Sequence, residues 1–364
     1  MIDMSKIAER VHWLRKERGI SQADVASALG FNDRQTVSAF ENGERALKPT
    51  ELVTLAKLFR MPVDQLADPF RLSQRADFSF RMSRDVSKET VSSFEEKAKE
   101  WIGAFRELAR ETGTLRATLP SIGIGPRSSL EDAEAEAERL AGLHFGSKIP
   151  AKVLPKVIEN DLNTLVLMVD ADVEISGAAC HMVDLNTVLV NRREVGGRRN
   201  FDLAHELFHI LTWKELPPAY FDGDGSKSQD RTEKLADKFA ITLLTPVQKL
   251  LEHRTADVAT AAWMNRTANV FGVTAVALSY RVLNLKWITK AQRDGIDYDA
   301  MKWNGGPAQA DLPPLFGAKF AAAVAAGILE HKVSVRKIAR ILGVTVDALG
   351  DILEDHGHGR VFDL

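Results

Sequence analysis

The sequence is poor in cysteine, with Cys180 as the only thiol in 364 residues. A single thiol cannot form an intramolecular disulfide, and it also excludes a zinc knuckle built from several cysteines. The N-terminus lacks the basic segment followed by an apolar segment that is typical of a secretory signal. We therefore expect a cytoplasmic protein without structural disulfides.

Long apolar runs and an excess of charge of one sign are missing as well. The longest apolar stretch covers residues 320–329, whereas a membrane-spanning helix needs about 20 residues. The 48 basic and 50 acidic side chains leave a formal net charge of −2, which does not indicate a nucleic-acid-binding surface over the whole protein. We expect no membrane role, and any DNA binding must be local.

The chain is long enough for two or three domains, because 364 residues with 45% hydrophobic side chains can bury more than one core. Residues 1–72 are predicted to form an all-helical domain, and residues 73–127 a linker with one long amphipathic helix. Residues 128–303 are predicted to form a domain with a small sheet. Residues 304–364 begin with the Gly- and Pro-rich "NGGPAQADLPP" and are predicted as a linker and a small helical region. The predicted fold class is α+β and mostly helical.

The first domain has the pattern of a helix-turn-helix. In "SQADVASALGFNDRQTVSAFENG", Ser21 and Asp24 have the spacing of a capping-box-like helix start. The apolar positions that can face one another across a tight turn are Val25, Leu29, Val37 and Phe40. The "SQADVA" of the first helix and the "FENG" that closes the second resemble the phage-repressor, XRE-type helix-turn-helix family. This resemblance implies that the start of the second helix enters the major groove of DNA.

The predicted DNA contacts surround that second helix. The side chains placed to read bases are Arg34, Gln35, Thr36 and Ser38, and those placed to meet phosphates are Asn42, Arg45 and Lys48. Residues 1–70 contain ten Lys/Arg and ten Asp/Glu residues, so the domain lacks the usual basic footprint of a DNA-binding domain. The alternative is a protein-interaction or dimerisation module on the same scaffold.

Residues 91–108 carry an apolar stripe with nearly the length of three heptads. Its members follow the spacing of an a/d seam: Val91, Phe94, Ala98, Trp101, Phe105 and Leu108. Two interpretations remain open. The stripe joins two copies into a homodimer that reads two half-sites, or it packs on a neighbouring domain of the same chain.

The third domain contains three segments typical of strands. "TLVLMVD", "DVEISGAACHMVD" and "NTVLVN" are rich in β-branched residues and bounded by Asn or Asp. They follow the capped helix "SSLEDAEAEAERLAGL", and after Asn191 the pattern becomes helical. A small sheet followed by helices is therefore expected.

The segment "RRNFDLAHELFHIL" contains the pattern H-E-x-x-H at residues 205–209. On a helix, His205 and His209 lie one turn apart on the same face, so both imidazoles can reach one zinc ion. Glu206 can accept a proton from a water that the metal activates, without being a ligand itself. The rest of the helix is apolar, and burying these polar groups would be costly without a partner such as a metal. The sequence predicts a catalytic Zn²⁺ site.

A catalytic zinc usually has three protein ligands and a water. The third ligand is expected from "RTEKLADKFAITLLTP", where Glu233 and Asp237 lie one turn apart on a predicted helix. Periodicity alone does not choose between these two carboxylates.

The segments "NFDLAHELFHIL" and "EKLADKFAITLLTP" together resemble the ImmA/IrrE family of zinc metallopeptidases. The second motif of that family reads E-x-x-A-[N/D]-x-F-A, and its leading glutamate is a zinc ligand. The resemblance therefore implies a zincin-like fold of the gluzincin type with Glu233 as third ligand, and Asp237 as the residue that orients a ligating histidine. The "ISG" and "VLVN" segments resemble the strands of the family. Phe208 departs from the family, which commonly has a small residue there.

The resemblance also implies peptide-bond hydrolysis. We expect a zinc-dependent endopeptidase coupled to a repressor-like DNA-binding domain, with DNA and a regulatory protein substrate as partners in a stress, phage or toxin–antitoxin type of switch. The alternative is a DNA-binding transcriptional regulator or antitoxin-like factor, in which the peptidase-like domain acts as a sensor or scaffold with little turnover.

Three more side chains have open roles. His181, Tyr220 or a backbone N–H could stabilise the oxyanion of the reaction, although an isolated His or Tyr is more often structural. The Cys180 thiolate could occupy the position of the metal's water and keep the enzyme silent, whereas a buried, inert thiol is the ordinary case.

Overall fold

The structure is a computed structural model that describes residues 4–72, 76–83, 86–111, 115, 121–218, 227–306 and 312–362. The helices of its N-terminal part are α1 (Met4–Glu17), α2 (Gln22–Leu29), α3 (Gln35–Glu41), α4 (Pro49–Leu58) and α5 (Val63–Ala67). The strands are β1 (Asp77–Met82), β2 (Thr164–Val169), β3 (Ile175–His181) and β4 (Asn186–Asn191).

The later helices surround these strands. In chain order they are α6 (Lys88–Glu111), α7 (Leu130–Phe145), α8 (Pro150–Asn160), α9 (Gly196–Thr212), α10 (Lys227–Leu244), α11 (Val247–Leu251), α12 (Ala261–Phe271), α13 (Ala275–Asn284), α14 (Lys290–Asp294), α15 (Tyr298–Met301), a 3₁₀ helix (Lys302–Gly305), α16 (Ala318–Leu329), α17 (Val335–Leu342) and α18 (Val346–Asp355). The fold class is α+β and mostly helical, as predicted. Among the described helices, none has the length and apolarity to cross a membrane.

Helices α1 to α5 enclose a core of their own. The Ser21–Asp24 capping box is present, with the Asp24 N–H donating to Ser21 Oγ at 3.1 Å and the Ser21 N–H donating to Asp24 Oδ2 at 3.0 Å. Gly30 ends α2 with φ +70°, a left-handed conformation that favours glycine. The four predicted apolar positions pack in or against this core. The local sequence therefore builds the predicted helix-turn-helix.

The sheet has the strand order β1-β3-β4-β2. Strands β2 and β4 are parallel, whereas β3 is antiparallel to both β4 and β1. The three predicted strands are confirmed, but sequence reasoning missed β1. Its segment "DFSFRM" alternates polar and apolar residues, and the Phe78 and Phe80 rings stack at 5.6 Å on one face. A strand signal of period two was thus present in a segment interpreted as a linker.

Each face of the sheet is covered by helices. One face packs on α9 in a core that includes Val188, Val190 and Leu207. The other face packs on α6 and α16 in a core that includes Leu167, Leu189 and Phe320. The central sheet therefore lies between two helical layers.

The stripe on α6 belongs to the second core. All six of its side chains are buried within one chain, and Phe105 stacks on Phe320 at 6.2 Å. The side chains of the predicted seam are therefore already covered within one chain, and no homodimer through residues 91–108 is shown. The alternative interpretation, packing on a neighbouring domain, describes this helix. In this way part of residues 73–127 contributes β1 and α6 to the layers of the sheet.

Candidate metal centre

Helix α9, which carries the H-E-x-x-H pattern, crosses the sheet and packs closely against β3. Every residue from Asp202 to Thr212 is buried. Glu206 lies over Gly177 of β3, where a Cβ atom would stand 3.3 Å from Glu206 Cγ and 3.0 Å from the Leu189 carbonyl oxygen. Because the glycine has no Cβ, the helix can approach the sheet with a glutamate in between.

Three donor groups converge beside this helix. His205 Nε2 lies 3.2 Å from His209 Nε2 and 3.2 Å from Glu233 Oε2, and His209 Nε2 lies 3.4 Å from Glu233 Oε1. Zinc bonds of about 2.0–2.2 Å at tetrahedral angles place neighbouring donor atoms about 3.3–3.6 Å apart. The three distances of 3.2–3.4 Å lie at the short end of this spacing, so the donor set fits a zinc ion. In the part of the chain that the structure describes, this is the one group of His, Cys, Asp and Glu side chains close enough to hold a metal.

The two histidines differ in their electrostatic surroundings. Burial, and next the charge of His205, lower the pKa of His209 to about 4, so this imidazole is neutral and can act as a donor. Burial alone would lower the pKa of His205, but hydrogen bonds with Asp237 and Glu233 raise it to about 9. The carboxylates of Asp237 and Glu233 thus stabilise a positive charge on His205. A cation bound between the two Nε2 atoms and Glu233 would be stabilised by the same carboxylates.

Glu206 is a buried carboxylate without a partner. Neither of its oxygens has a hydrogen-bond partner among the described residues. Burial raises its pKa to about 8, and the charge of His205 opposes that rise. A carboxyl group with a pKa near neutrality is suited to accept a proton and give it back. Asp237 lies on the far side of His205, with Oδ1 3.0 Å from His205 Nδ1.

Sequence reasoning missed Arg81, which reaches this centre from β1. Its Nε lies 3.0 Å from Asp202 Oδ1, its Nη1 lies 3.4 Å from Asp237 Oδ1, and its guanidinium lies over the Phe201 ring at 5.1 Å. The alternation of "DFSFRM" was the available signal, since it places Arg81 on the opposite face of the strand from Phe78 and Phe80.

Cys180 lies on the wrong face of the sheet for a role at the metal. Its side chain belongs to the core that β3 shares with α6, whereas the neighbouring Ala179 belongs to the core under α9. Burial raises the pKa of the thiol well above its usual range. The hypothesis that a Cys180 thiolate replaces the metal's water is therefore wrong, and the thiol is an inert core group.

Of the other side chains with open roles, His181 and Phe208 have structural partners, and Tyr220 has no described position. His181 stacks on Trp213 at 5.3 Å, and its Nδ1 lies 2.7 Å from Asn186 Oδ1. Tyr220 lies outside the described residues. Phe208, the departure from the family pattern, packs against Phe239 at 5.4 Å in the core between α9 and α10. The bulky ring therefore fills the core and leaves the three donor groups together.

The predicted DNA contacts lie around the start of α3. Arg34 and Gln35 are exposed there, Thr36 and Ser38 are half-buried beside them, and Asn42 and Lys48 are exposed further on. Arg45 differs, because its guanidinium donates to both oxygens of Glu51 at 2.6 and 3.0 Å.

The acidic side chain of α3 itself, Glu41, is paired inside the domain. Glu41 accepts hydrogen bonds from Arg15 at 2.7 and 2.8 Å and from Gln22 at 2.9 Å, and its side chain is 1% exposed. The pair with Arg15 therefore keeps the Glu41 carboxylate from opposing a phosphate backbone, at the expense of one basic group.

Comparisons with known families found two matches. Residues 11–66 match the model of the helix-turn-helix family, and residues 161–283 match a peptidase-family model described as the IrrE N-terminal-like domain. A search of curated proteins found no match. The second match includes α9 and α10, whereas β1 precedes it. The chain therefore joins an XRE-type helix-turn-helix domain to an IrrE/ImmA-like peptidase-family domain.

Proposed function

We propose that the protein is a zinc-dependent endopeptidase coupled to a repressor-like DNA-binding domain, and that it cleaves a regulatory protein in a stress, phage or toxin–antitoxin type of switch. The observation that carries this proposal is the convergence of His205, His209 and Glu233 at tetrahedral spacing beside the unpartnered carboxylate of Glu206. A buried group without a partner is costly. Its presence next to three donor groups supports a catalytic centre rather than a structural one.

The proposed division of the chain follows from this assignment. Residues 1–72 form the DNA-binding domain, and residues 128–303 form the peptidase domain around the metal centre. Residues 73–127 and 304–364 supply β1, α6 and the helices that cover the second face of the sheet.

His205, His209 and Glu233 would hold Zn²⁺. When bound, zinc supplies Lewis-acid activation of water and of the scissile carbonyl. Asp237 accepts the Nδ1 proton of His205, with the two atoms 3.0 Å apart, and so leaves the Nε2 lone pair for the metal. Its role is therefore to set the tautomer of one ligand.

Glu206 would act as general base and then as general acid. The attacking water transfers a proton to the Glu206 carboxylate while its oxygen bonds to the carbonyl carbon of the substrate. When the C–N bond breaks, Glu206 returns that proton to the leaving amine. Burial raises the pKa of Glu206 above that of an exposed carboxyl group, which makes its carboxylate a stronger base for the first transfer.

The helix-turn-helix domain would bind DNA with the start of α3 in the major groove. Arg34 and Gln35 are exposed at this end of the helix and have the lengths and donors to read guanine and adenine edges. Thr36 and Ser38 flank them, and Asn42 and Lys48 would contact phosphates, whereas the guanidinium of Arg45 is held by Glu51. The domain would thereby hold the peptidase near an operator.

A second candidate function is a DNA-binding regulator or antitoxin-like factor with little turnover. The observation that favours it is the pairing of β1 with β3. In this pairing Arg81 lies opposite Gly177, and Gly177 is the residue that packs under Glu206. Extended peptides often bind by adding a strand to an exposed sheet edge. Here β1 already covers the edge of β3 beside the metal centre.

Cleavage of a proteome-derived peptide library separates the two functions. The zinc-loaded full-length protein, Glu206→Gln and the exposed control Glu215→Gln are incubated with the library, and new N-termini are identified by labelling and mass spectrometry. We expect one set of cleavage sites for the wild type and Glu215→Gln and none for Glu206→Gln, with zinc content equal in all three. The absence of new N-termini with the zinc-loaded wild type would leave the regulator as the function.

A further inference from the structure

Arg81 contacts two carboxylates of the metal centre although it belongs to a strand outside the family-matched residues 161–283. It bridges α9 and α10, since Asp202 lies on the first helix and Asp237 on the second. These are the two helices that carry the proposed ligands. A single side chain of β1 therefore links both halves of the donor set.

The contact with Asp237 is specific to one oxygen. Asp237 Oδ1 lies 3.0 Å from His205 Nδ1 and 3.4 Å from Arg81 Nη1. The histidine and the arginine thus share one carboxylate oxygen. Arg81 thus contacts the same oxygen that accepts the Nδ1 proton of His205.

Asp237 needs such a constraint because its side chain is 53% exposed. The terminal torsion of an aspartate is soft, and water can compete for its oxygens. The contact with Arg81 Nη1 therefore helps to keep the carboxylate oriented.

An ion-pair contact with Asp202 holds the arginine itself, although neither Asp202 oxygen has a hydrogen-bond partner among the described residues. Asp202 is fully buried, its Oδ1 lies 3.0 Å from Arg81 Nε, and the guanidinium packs over the Phe201 ring. The Nε and Nη1 atoms of one planar guanidinium thus contact two carboxylates at once. The single ammonium group of a lysine cannot reproduce this arrangement.

We propose that Arg81 is a positioning residue of the metal centre. It holds Asp237 so that the aspartate fixes the tautomer and ring orientation of His205, and the Nε2 atom of His205 is then aimed at the metal. This inference rests on the proposed zinc site. The metal centre consequently depends on β1, a strand that precedes the family-matched residues.

Zinc affinity of the full-length protein tests this role. Competition with a chromophoric chelator gives the zinc Kd of the wild type, Arg81→Gln and Arg81→Lys. Loss of an outer partner of a metal ligand lowers affinity by about 10- to 100-fold. Because Arg81 acts through Asp237, we expect about a 10-fold loss in Arg81→Gln and a smaller loss in Arg81→Lys, which keeps the charge.

Two further readouts separate positioning from a structural role. The ¹⁵N shifts of the His205 ring in the zinc-loaded protein report its tautomer, and Arg81→Gln should weaken the Nδ1–H signature. A double-mutant cycle with Asp237→Asn should be non-additive, since Arg81→Gln has little left to change once the carboxylate is gone. If Arg81→Gln does not fold, Arg81→Lys takes its place in both readouts.

Arg198→Gln is the matched control. Arg198 also approaches Asp202, at 3.8 Å, but its contacts among the described residues are with Glu194, Asp202 and Ser176, not with Asp237. We expect its zinc Kd to equal that of the wild type. A zinc-binding wild type with an unchanged Kd and unchanged His205 signals in Arg81→Gln would overturn this inference alone. A folded wild type that binds no zinc would overturn the proposed function first, and the role of Arg81 with it.

Discussion

Two clusters of buried charge lie in the body around the sheet, and they differ in how far their charges are paired. In the first, which we call the arginine cluster, Arg281 donates through Nη1 to Glu134 and through Nη2 to Glu138 at 2.8 Å, and Lys238 Nζ lies 2.6 Å from Glu134. The second is the metal centre, where both oxygens of Glu206 lack a partner among the described residues.

The difference separates a structural cluster from a functional one. The arginine cluster joins α7, α10 and α13, and each of its four charged groups faces an opposite charge. The metal centre leaves a carboxylate unpaired and brings two imidazole Nε2 atoms to 3.2 Å from one another. Such an arrangement is unfavourable by itself and becomes favourable when a cation binds.

The largest effect is expected from breaking the arginine cluster. Arg281→Met leaves Glu134 and Glu138 without their buried partner, and losing one member of a buried ion pair costs about 3–5 kcal/mol of unfolding free energy. Zinc content should not change. Denaturant unfolding and metal analysis measure the two quantities.

A surface ion pair provides the control for that experiment. Arg266 and Asp257 lie 2.9 Å apart with exposures of 62% and 44%, so Arg266→Met should cost less than about 1 kcal/mol. Loss of zinc in Arg281→Met with little change in stability would remove the distinction between the two clusters.

A buried carboxyl group outside both clusters shows how far burial can raise a pKa against opposing contacts. Burial raises the pKa of Glu159 to about 7, above its value of about 4.3 in the unfolded chain. Because the folded state favours the protonated form, this contribution to stability is fully present below the unfolded pKa and is lost as the pH rises through about 7. Relative to wild type, Glu159→Gln should therefore gain up to about 3 kcal/mol of unfolding free energy between pH 4 and pH 8.

Denaturant unfolding at pH 4, 6 and 8 follows this difference, with Glu330→Gln as an exposed control. A difference between Glu159→Gln and wild type that does not vary with pH would contradict the assignment of a raised pKa. The control should show no such trend.

A smaller effect on stability, but a clear one on zinc, is expected at Asp237. Asp237→Asn removes the acceptor for the Nδ1 proton of His205, and zinc affinity should fall by about 10- to 100-fold. Because the side chain is half exposed, the metal-free protein should lose little stability. Chelator competition measures the affinity, and Asp230→Asn, exposed on the same helix, should leave it unchanged. Equal affinities of the two variants would show that the His205 tautomer is set by another group.

Much of the metal centre could be predicted because its signals are local. The spacing of His205 and His209 follows from one helical turn, and the β-branched segments defined β2, β3 and β4. Helical periodicity could not identify Glu233 as the third ligand, because Asp237 was an equal candidate. The resemblance to a known family favoured Glu233. The structure places Glu233 near both imidazole Nε2 atoms and Asp237 near His205 Nδ1.

The missed features depend on contacts between distant parts of the chain. The alternation in β1 indicates a strand and the face on which Arg81 lies, but no local pattern reveals that this strand pairs with β3, about a hundred residues later. The stripe on α6 was ambiguous for a different reason. A helix that packs on a sheet has apolar residues three and four apart, as a coiled-coil seam does, and only the neighbouring core shows which partner covers it.

Zinc content per chain tests the central claim most directly. The wild type and Glu233→Ala are purified without added metal and analysed by atomic emission, with circular dichroism to show that both are folded. The proposed centre predicts close to one zinc ion per chain in the wild type and a nearly complete loss in Glu233→Ala, because two imidazoles alone make a weak site. A folded wild type without zinc, or equal zinc in both proteins, would contradict the assignment of these residues as a metal centre.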